Sequence, residues 1–194
     1  MTVHINENGK RSTFIHIPKN AGTAISNWIW KIKGKHTEYK SRAQQKKLGG
    51  KHARQHQIAK HLGDLGYTFL CVRNPWDRLL SSYHYATKNI ASFEEFVLRV
   101  KDKPDLIDFW GCSSTQQVDY YQENKVDYII RYETLEEDFK VIQDFYGDQR
   151  KLGRTNESAN QHIRDYRPEF TTEMVDLVYE LCADDIKRFN YSFE

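Results

Sequence analysis

Two short segments carry residue types, in order and spacing, that suit the binding of phosphate-like anions. The first is His16-Ile-Pro-Lys-Asn-Ala-Gly-Thr-Ala-Ile25, where an apolar run gives way to a helical pattern. Backbone N–H groups at a helix start have no intrahelical acceptor and attract anions. Gly22 lets the backbone approach a ligand closely, Thr23 adds a hydroxyl, and Lys19 adds a positive charge. Taken alone, the segment reads as an anion cradle or as a plain strand–helix connector. It is not a Walker A loop, in which a Lys directly follows the second Gly. Here Lys19 comes three residues before Gly22, and Ile17 stands where the first Gly would be. That departure weighs against a nucleoside-triphosphate enzyme.

The second segment is Val72-Arg-Asn-Pro-Trp-Asp-Arg-Leu-Leu-Ser-Ser-Tyr83. It puts Arg73 at the C-terminal end of a strand, where open α/β sheets bind ligands. Ser81 lies about two helical turns further on, on the side that can face back toward Arg73. A guanidinium with a hydroxyl suits a phosphate monoester. Asp77 reads as a helix-start charge, Arg78 as a structural ion-pair partner, and Trp76 and Tyr83 as packing residues. Among the histidines, His52 sits in the basic stretch Lys51-His-Ala-Arg54, with His56 one helical turn on. A histidine in such a stretch is ordinarily a polar surface residue, although neutral imidazole is also the usual general base. His16, within an apolar run, reads as a structural, hydrogen-bonded histidine.

These residues need elements to hold them. Thr2–Ile5 and Ser12–Ile17 flank the turn-like Asn6-Glu-Asn-Gly-Lys10, the pattern of a short hairpin. Ala24–Ile32 has apolar residues at helical spacing, and Gly34 is placed to end that helix. Residues 33–51 are basic and polar with little periodicity, with room for a short strand near Thr37–Tyr39. Ala53–Leu62 can form a helix. Tyr67–Arg73 is the strongest buried-strand signal, short and almost wholly apolar. Asn74 caps and Pro75 opens a helix reaching about Thr87, and Ser92 caps another reaching about Val100. Asp127–Arg131 reads as a strand, Leu135–Tyr146 as a helix, and Thr171–Phe189 as one long amphipathic helix. Strands alternating with helices predict an α/β domain with a largely parallel sheet.

The length of 194 residues suits one domain, and 39% hydrophobic with 29% charged residues suits a globular chain. With 29 Lys and Arg against 27 Asp and Glu, the net charge of +2 gives no reason to expect a nucleic-acid partner. Cys71, Cys112 and Cys182 are too dispersed for a disulfide framework, and neither a CxxC nor an HExxH spacing suggests a metal site. Met1–Lys10 lacks an apolar signal core, and no segment approaches the length of a membrane span. No metal, no membrane span and a cytoplasmic location are the expectations.

The pairing of Ile17-Pro-Lys-Asn-Ala-Gly-Thr23 with Cys71-Val-Arg-Asn-Pro-Trp-Asp-Arg-Leu-Leu-Ser-Ser-Tyr83 resembles the sulfotransferases that use 3′-phosphoadenosine-5′-phosphosulfate (PAPS), and most of all their carbohydrate-sulfotransferase-like branch and its short bacterial relatives. Lys51–Arg54 is similar to the family's segment with an acceptor-side histidine. Asp127–Asp138, Asn156–Ser158 and Asp185–Ser192 are similar to later parts of the family pattern, so the likeness covers most of the chain. It implies a P-loop-like sulfotransferase fold, a single domain over residues 1–194 with a mainly parallel central sheet flanked by helices. It further implies transfer of a sulfuryl group from PAPS to an acceptor hydroxyl, on a glycan or a small hydroxylated molecule, with adenosine 3′,5′-bisphosphate as the second product.

On that resemblance Lys19, Asn20, Ala21, Gly22, Thr23 and Ala24 hold the 5′-phosphosulfate, and Arg73 with Ser81 the 3′-phosphate. Lys19 stabilises the charge that develops on the leaving oxygen, and His52 removes the acceptor proton, with His56 as the other candidate. Arg154, Arg164 and Arg167, with Asn156 and Ser158, form either a segment that closes over the nucleotide or an exposed loop. Two other classes fit parts of the pattern. A P-loop-type kinase or phosphotransferase would need ATP and magnesium, and a non-catalytic module would bind a nucleotide or glycan without transfer.

Overall fold

A computed structural model describes residues 1–36, 50–86, 92–102, 116–153 and 165–194. The expected hairpin is present. Strand β1 (Thr2–Ile5) runs antiparallel to β2 (Arg11–Ile15), in register from Thr2 opposite Phe14 to Ile5 opposite Arg11. Its turn is closed locally, since the Asn6 side chain accepts from the N–H groups of Asn8 and Lys10. Helix α1 (Gly22–Ile29) follows, then the short strand β3 (Lys35–His36), just before the Thr37–Tyr39 position expected from sequence, which lies outside the described residues. Next come α2 (Gln55–Leu62), β4 (Tyr67–Val72), α3 (Pro75–Ala86), α4 (Phe93–Asp102), β5 (Tyr128–Arg131) and α5 (Leu135–Tyr146). Helices α6 (Thr172–Leu181) and α7 (Ala183–Phe189) end the chain.

The strands form one sheet in the order β3-β1-β2-β4-β5. Strand β2 is parallel to β4 and β4 to β5, while β1 is antiparallel to both β2 and β3. Four of these five strands therefore point the same way, and the α/β reading with a mainly parallel sheet holds.

The chain divides into two compact units, Met1–Val72 with Asp119–Thr155, and Arg73–Val118 with Asn156–Glu194. The first contains the sheet. Because side chains alternate along a strand, Phe14, Phe69, Cys71 and Ile130 share one face, where they pack on Ile25, Trp28 and Ile29 of α1 and on Phe139 and Ile142 of α5. Trp28 meets Phe139 edge-on at 5.0 Å, and its indole N–H donates to the Arg150 carbonyl. Cys71 is a buried free thiol.

In the second unit, Leu80, Phe96, Val97, Val100, Met174 and Leu177 build a core from α3, α4 and α6. Trp76 and Tyr83 serve packing as expected. Trp76 is fully buried and lies edge-on to Tyr179, and Tyr83 rests on Phe93 and Phe96. The side chains of Asn74, Ser92 and Thr171 accept from the first-turn amides of Trp76, Glu95 and Met174, so all three caps act as such.

The single helix expected over Thr171–Phe189 is instead two. The chain breaks at Cys182 (φ −120°, ψ 26°), and the amides of Asp184 and Asp185 donate to the Gln116 side chain. The apolar pattern runs through the break without marking it, because the group that caps α7 comes from a distant part of the chain.

Candidate active site

The loop before α1 grows out of β2. His16 continues the strand's alternation onto the side of Phe14, ring centroids 5.7 Å apart, and is buried. Burial above all, then the positive fields of the terminal amine, His52 and Lys51, holds its pKa well below 6.5. His16 is therefore a neutral imidazole. Its Nδ1 is buried and makes no hydrogen bond among the described residues, so the expectation of a hydrogen-bonded structural histidine is met only for its burial.

Lys19 (φ 68°) and Ala21 (φ 55°) both adopt left-handed backbone conformations, which cost a residue with a Cβ about 1–2 kcal/mol each. Between them Asn20 is buried, and its side-chain amide donates to the Cys71 carbonyl at 2.8 Å. That bond pins the loop to β4.

Ala21 is the N-cap of α1, and no side chain caps the helix. The first turn holds no acidic residue, and the helical ladder begins with the Ile25 amide on the Ala21 carbonyl. The amides of Gly22, Thr23 and Ala24 thus precede the ladder at a positively polarised helix start. These amides, with the Thr23 hydroxyl and the Lys51 ammonium beside it and no carboxylate in the first turn, suit an anionic group such as a phosphosulfate. Gly22 has a second, internal reason to be glycine: an added Cβ would lie 2.1 Å from the His16 ring.

Lys51 and His52 come from the turn before α2. The Ala53 amide donates to the Gly50 carbonyl, and Ala53 is buried as an anchor. The Lys51 ammonium reaches the Thr23 hydroxyl at 3.3 Å, and burial lowers its pKa. The His52 ring stands edge-on to His16, centroids 4.7 Å apart at 86°, with Nδ1 2.9 Å from the His16 carbonyl oxygen. A carbonyl only accepts, so Nδ1 carries the hydrogen. In neutral His52 the lone pair is then on Nε2. His56 lies on the exposed side of α2. The structure thus joins His52 directly to the loop, an arrangement that a separation of 36 residues from His16 hides in the sequence.

In the second unit, Arg73 directly follows β4 and is buried, with Nε and Nη2 donating to the two carboxylate oxygens of Asp77 at 2.8 and 2.6 Å. Asp77 is thus more than the helix-start charge expected of it. It grips Arg73 in a planar two-point fork. Ser81, also buried, is one turn beyond Asp77 on α3, as the spacing predicts.

Sequence reasoning missed the residue that holds the Arg73 backbone. Gln117 is fully buried, and its side chain accepts from the Arg73 amide and donates to the Arg73 carbonyl, each at 2.9 Å. The buried carboxylate of Asp185 in turn accepts from the amides of Gln117 and Val118. Burial raises the Asp185 pKa, opposed by the charge of buried Arg78 and by those hydrogen bonds. No local pattern announces Gln117, since its importance comes from contacts 44 and 68 residues away.

Arg167 is exposed and paired with Asp165, while Arg154, Asn156, Ser158 and Arg164 lie outside the described residues. Asp127 stands at the start of β5, where it takes the Thr68 amide. Among the described residues no group of His, Cys, Asp and Glu is gathered to hold a metal ion, and no helix is long and apolar enough to cross a membrane.

No curated protein and no solved structure matches the chain. A model of the sulfotransferase family matches residues 8–192, a span that includes the loop, His52, Arg73 and Ser81. A family of transferases is thereby joined to an uncapped helix start without a carboxylate, and the chain belongs to the sulfotransferase family.

Proposed function

We propose that the protein transfers the sulfuryl group of PAPS to a hydroxyl, with a saccharide as the favoured acceptor class. The observation that carries this reading is the uncapped start of α1, where amide, hydroxyl and ammonium donors converge beside an imidazole of defined tautomer. The amides of Gly22, Thr23 and Ala24 bind and orient the 5′ end of the donor, assisted by Lys19. Arg73 and Ser81 take the 3′-phosphate. Bound PAPS supplies an activated sulfuryl group with adenosine 3′,5′-bisphosphate as its leaving group.

His52 accepts the acceptor's hydroxyl proton at Nε2, since Nδ1–H is engaged by the His16 carbonyl. Lys19 stabilises negative charge that grows on the departing oxygen, a contribution larger in the transition state than before it. The preference for a saccharide rests on the likeness to the carbohydrate-sulfotransferase-like branch.

Thermal denaturation with added ligands tests the nucleotide assignment. Adenosine 3′,5′-bisphosphate is expected to raise the melting temperature, and ATP with magnesium to raise it much less. A larger shift with ATP and magnesium would favour a phosphotransferase and overturn this reading.

A further inference from the structure

Arg73 is held by two different devices, one for its side chain and one for its backbone. Asp77 sets the plane of the guanidinium. The backbone clasp is less ordinary. Arg73 comes just after β4 ends, where a strand's hydrogen-bond ladder has stopped and the chain turns toward Pro75. A buried amide and carbonyl at such a place need partners, because a buried polar group left without a hydrogen bond keeps its full desolvation penalty. The side-chain amide of Gln117 supplies both at once, an acceptor for Arg73 N–H and a donor for Arg73 C=O. It acts as one extra rung of sheet made from a side chain.

Gln117 is itself fixed from behind. Its backbone amide and that of Val118 each donate to one oxygen of the Asp185 carboxylate, at 2.8 and 2.9 Å. Asp185 is fully buried on α7, and the neighbouring Gln116 side chain accepts from the Asp184 and Asp185 amides. The two segments therefore lock each other reciprocally. This places the break at Cys182 in a functional light, since one continuous helix would not present the Asp184 and Asp185 amides to Gln116.

We propose that Gln117, backed by Asp185, is a positioning device for Arg73 that sets selectivity for a nucleotide bearing a 3′-phosphate. The proposal rests on the assignment of Arg73 to that phosphate made above. Neither residue touches the ligand in this scheme. They act by holding the Cα and carbonyl from which the Arg73 side chain projects.

Calorimetric titration with adenosine 3′,5′-bisphosphate and with adenosine 5′-monophosphate, on wild type, Gln117→Leu, Gln117→Glu and Asp185→Asn, tests the idea. Circular dichroism melts report which variants are folded. Wild type should prefer the bisphosphate. Gln117→Leu should lose about tenfold of that preference, the scale on which partners that orient a ligand-binding group act, with monophosphate affinity unchanged. Gln117→Glu, closest in shape, keeps the acceptor for the Arg73 amide but loses the donor to its carbonyl, and should show a smaller loss in the same direction. Asp185→Asn should follow it.

A folded Gln117 variant that keeps the full preference would overturn the proposal. So would equal losses for both nucleotides, the signature of a merely structural role. If wild type shows no preference, the assignment of Arg73 fails first, and the positioning role fails with it.

Discussion

The loop after β2 and the arginine after β4 are both assigned to phosphate groups, yet they are built on opposite plans. On the proposed reading the loop binds through its backbone: an uncapped helix start, two left-handed residues and a glycine pressed against His16. Its parts lie within ten residues of one another, with Lys51 and His52 as the additions from outside. On the same reading the arginine station works through a side chain, held by Asp77 one turn on and by the buried Gln117 and Asp185 far along the chain. A backbone site is robust to most side-chain changes but intolerant of a Cβ in the wrong place. A side-chain site inverts those sensitivities.

Four substitutions bear on that contrast, the largest effect first. On the proposed mechanism Lys19→Ala removes the charge that stabilises the leaving oxygen and should lower kcat by about 10²–10³-fold, with His52→Ala expected to cost about 10²-fold. Steady-state kinetics with PAPS and an acceptor would show both as losses of turnover with little change in KM. A Lys19→Ala enzyme altered only in KM would make the loop a binding station like the arginine.

Gly22→Ala should destabilise the fold by about 1–3 kcal/mol, because the new methyl meets a ring rather than a flexible chain end. A thermal melt measures this, and shortening the ring in a Gly22→Ala/His16→Ala double variant should return part of the loss. An unchanged melting temperature for the single variant would show that the loop backbone yields easily.

The smallest effect belongs to Asp77→Asn, which keeps shape but weakens the fork on Arg73. Because Asp77 is partly exposed, the interaction is screened, and affinity for adenosine 3′,5′-bisphosphate should fall about two- to fivefold. Tighter binding instead would mean that Asp77 competes with the phosphate for the guanidinium, and the station would then be ligand-gated rather than preorganised.

Much of the framework was legible from local pattern. The β2–loop–α1 order, the β4 strand, the caps at Asn74 and Ser92 and the helix Leu135–Tyr146 all follow from apolar periodicity and capping chemistry acting over a few residues. The same kind of reasoning failed at Cys182. The amphipathic stripe persists across that break, and the acceptor that stabilises a new helix start is the Gln116 side chain, 68 residues from Asp184 in sequence. Asp77 is the helix-start charge that its position predicts, but its grip on Arg73 is not legible, because a carboxylate in a first turn looks the same whether or not a buried guanidinium waits four residues before it.

By itself the sequence determined that this chain has a strand–loop–helix junction with Lys19 displaced from the Walker position, and an arginine at the end of the next central strand. Both follow from short-range backbone and capping rules. Only the tertiary structure decided which histidine stands beside the cradle, which of its nitrogens holds the proton, why Gly22 admits no side chain, and what clasps Arg73. These depend on hydrogen bonds and close approaches between residues distant in the chain, and such partners leave no periodic trace in either segment alone.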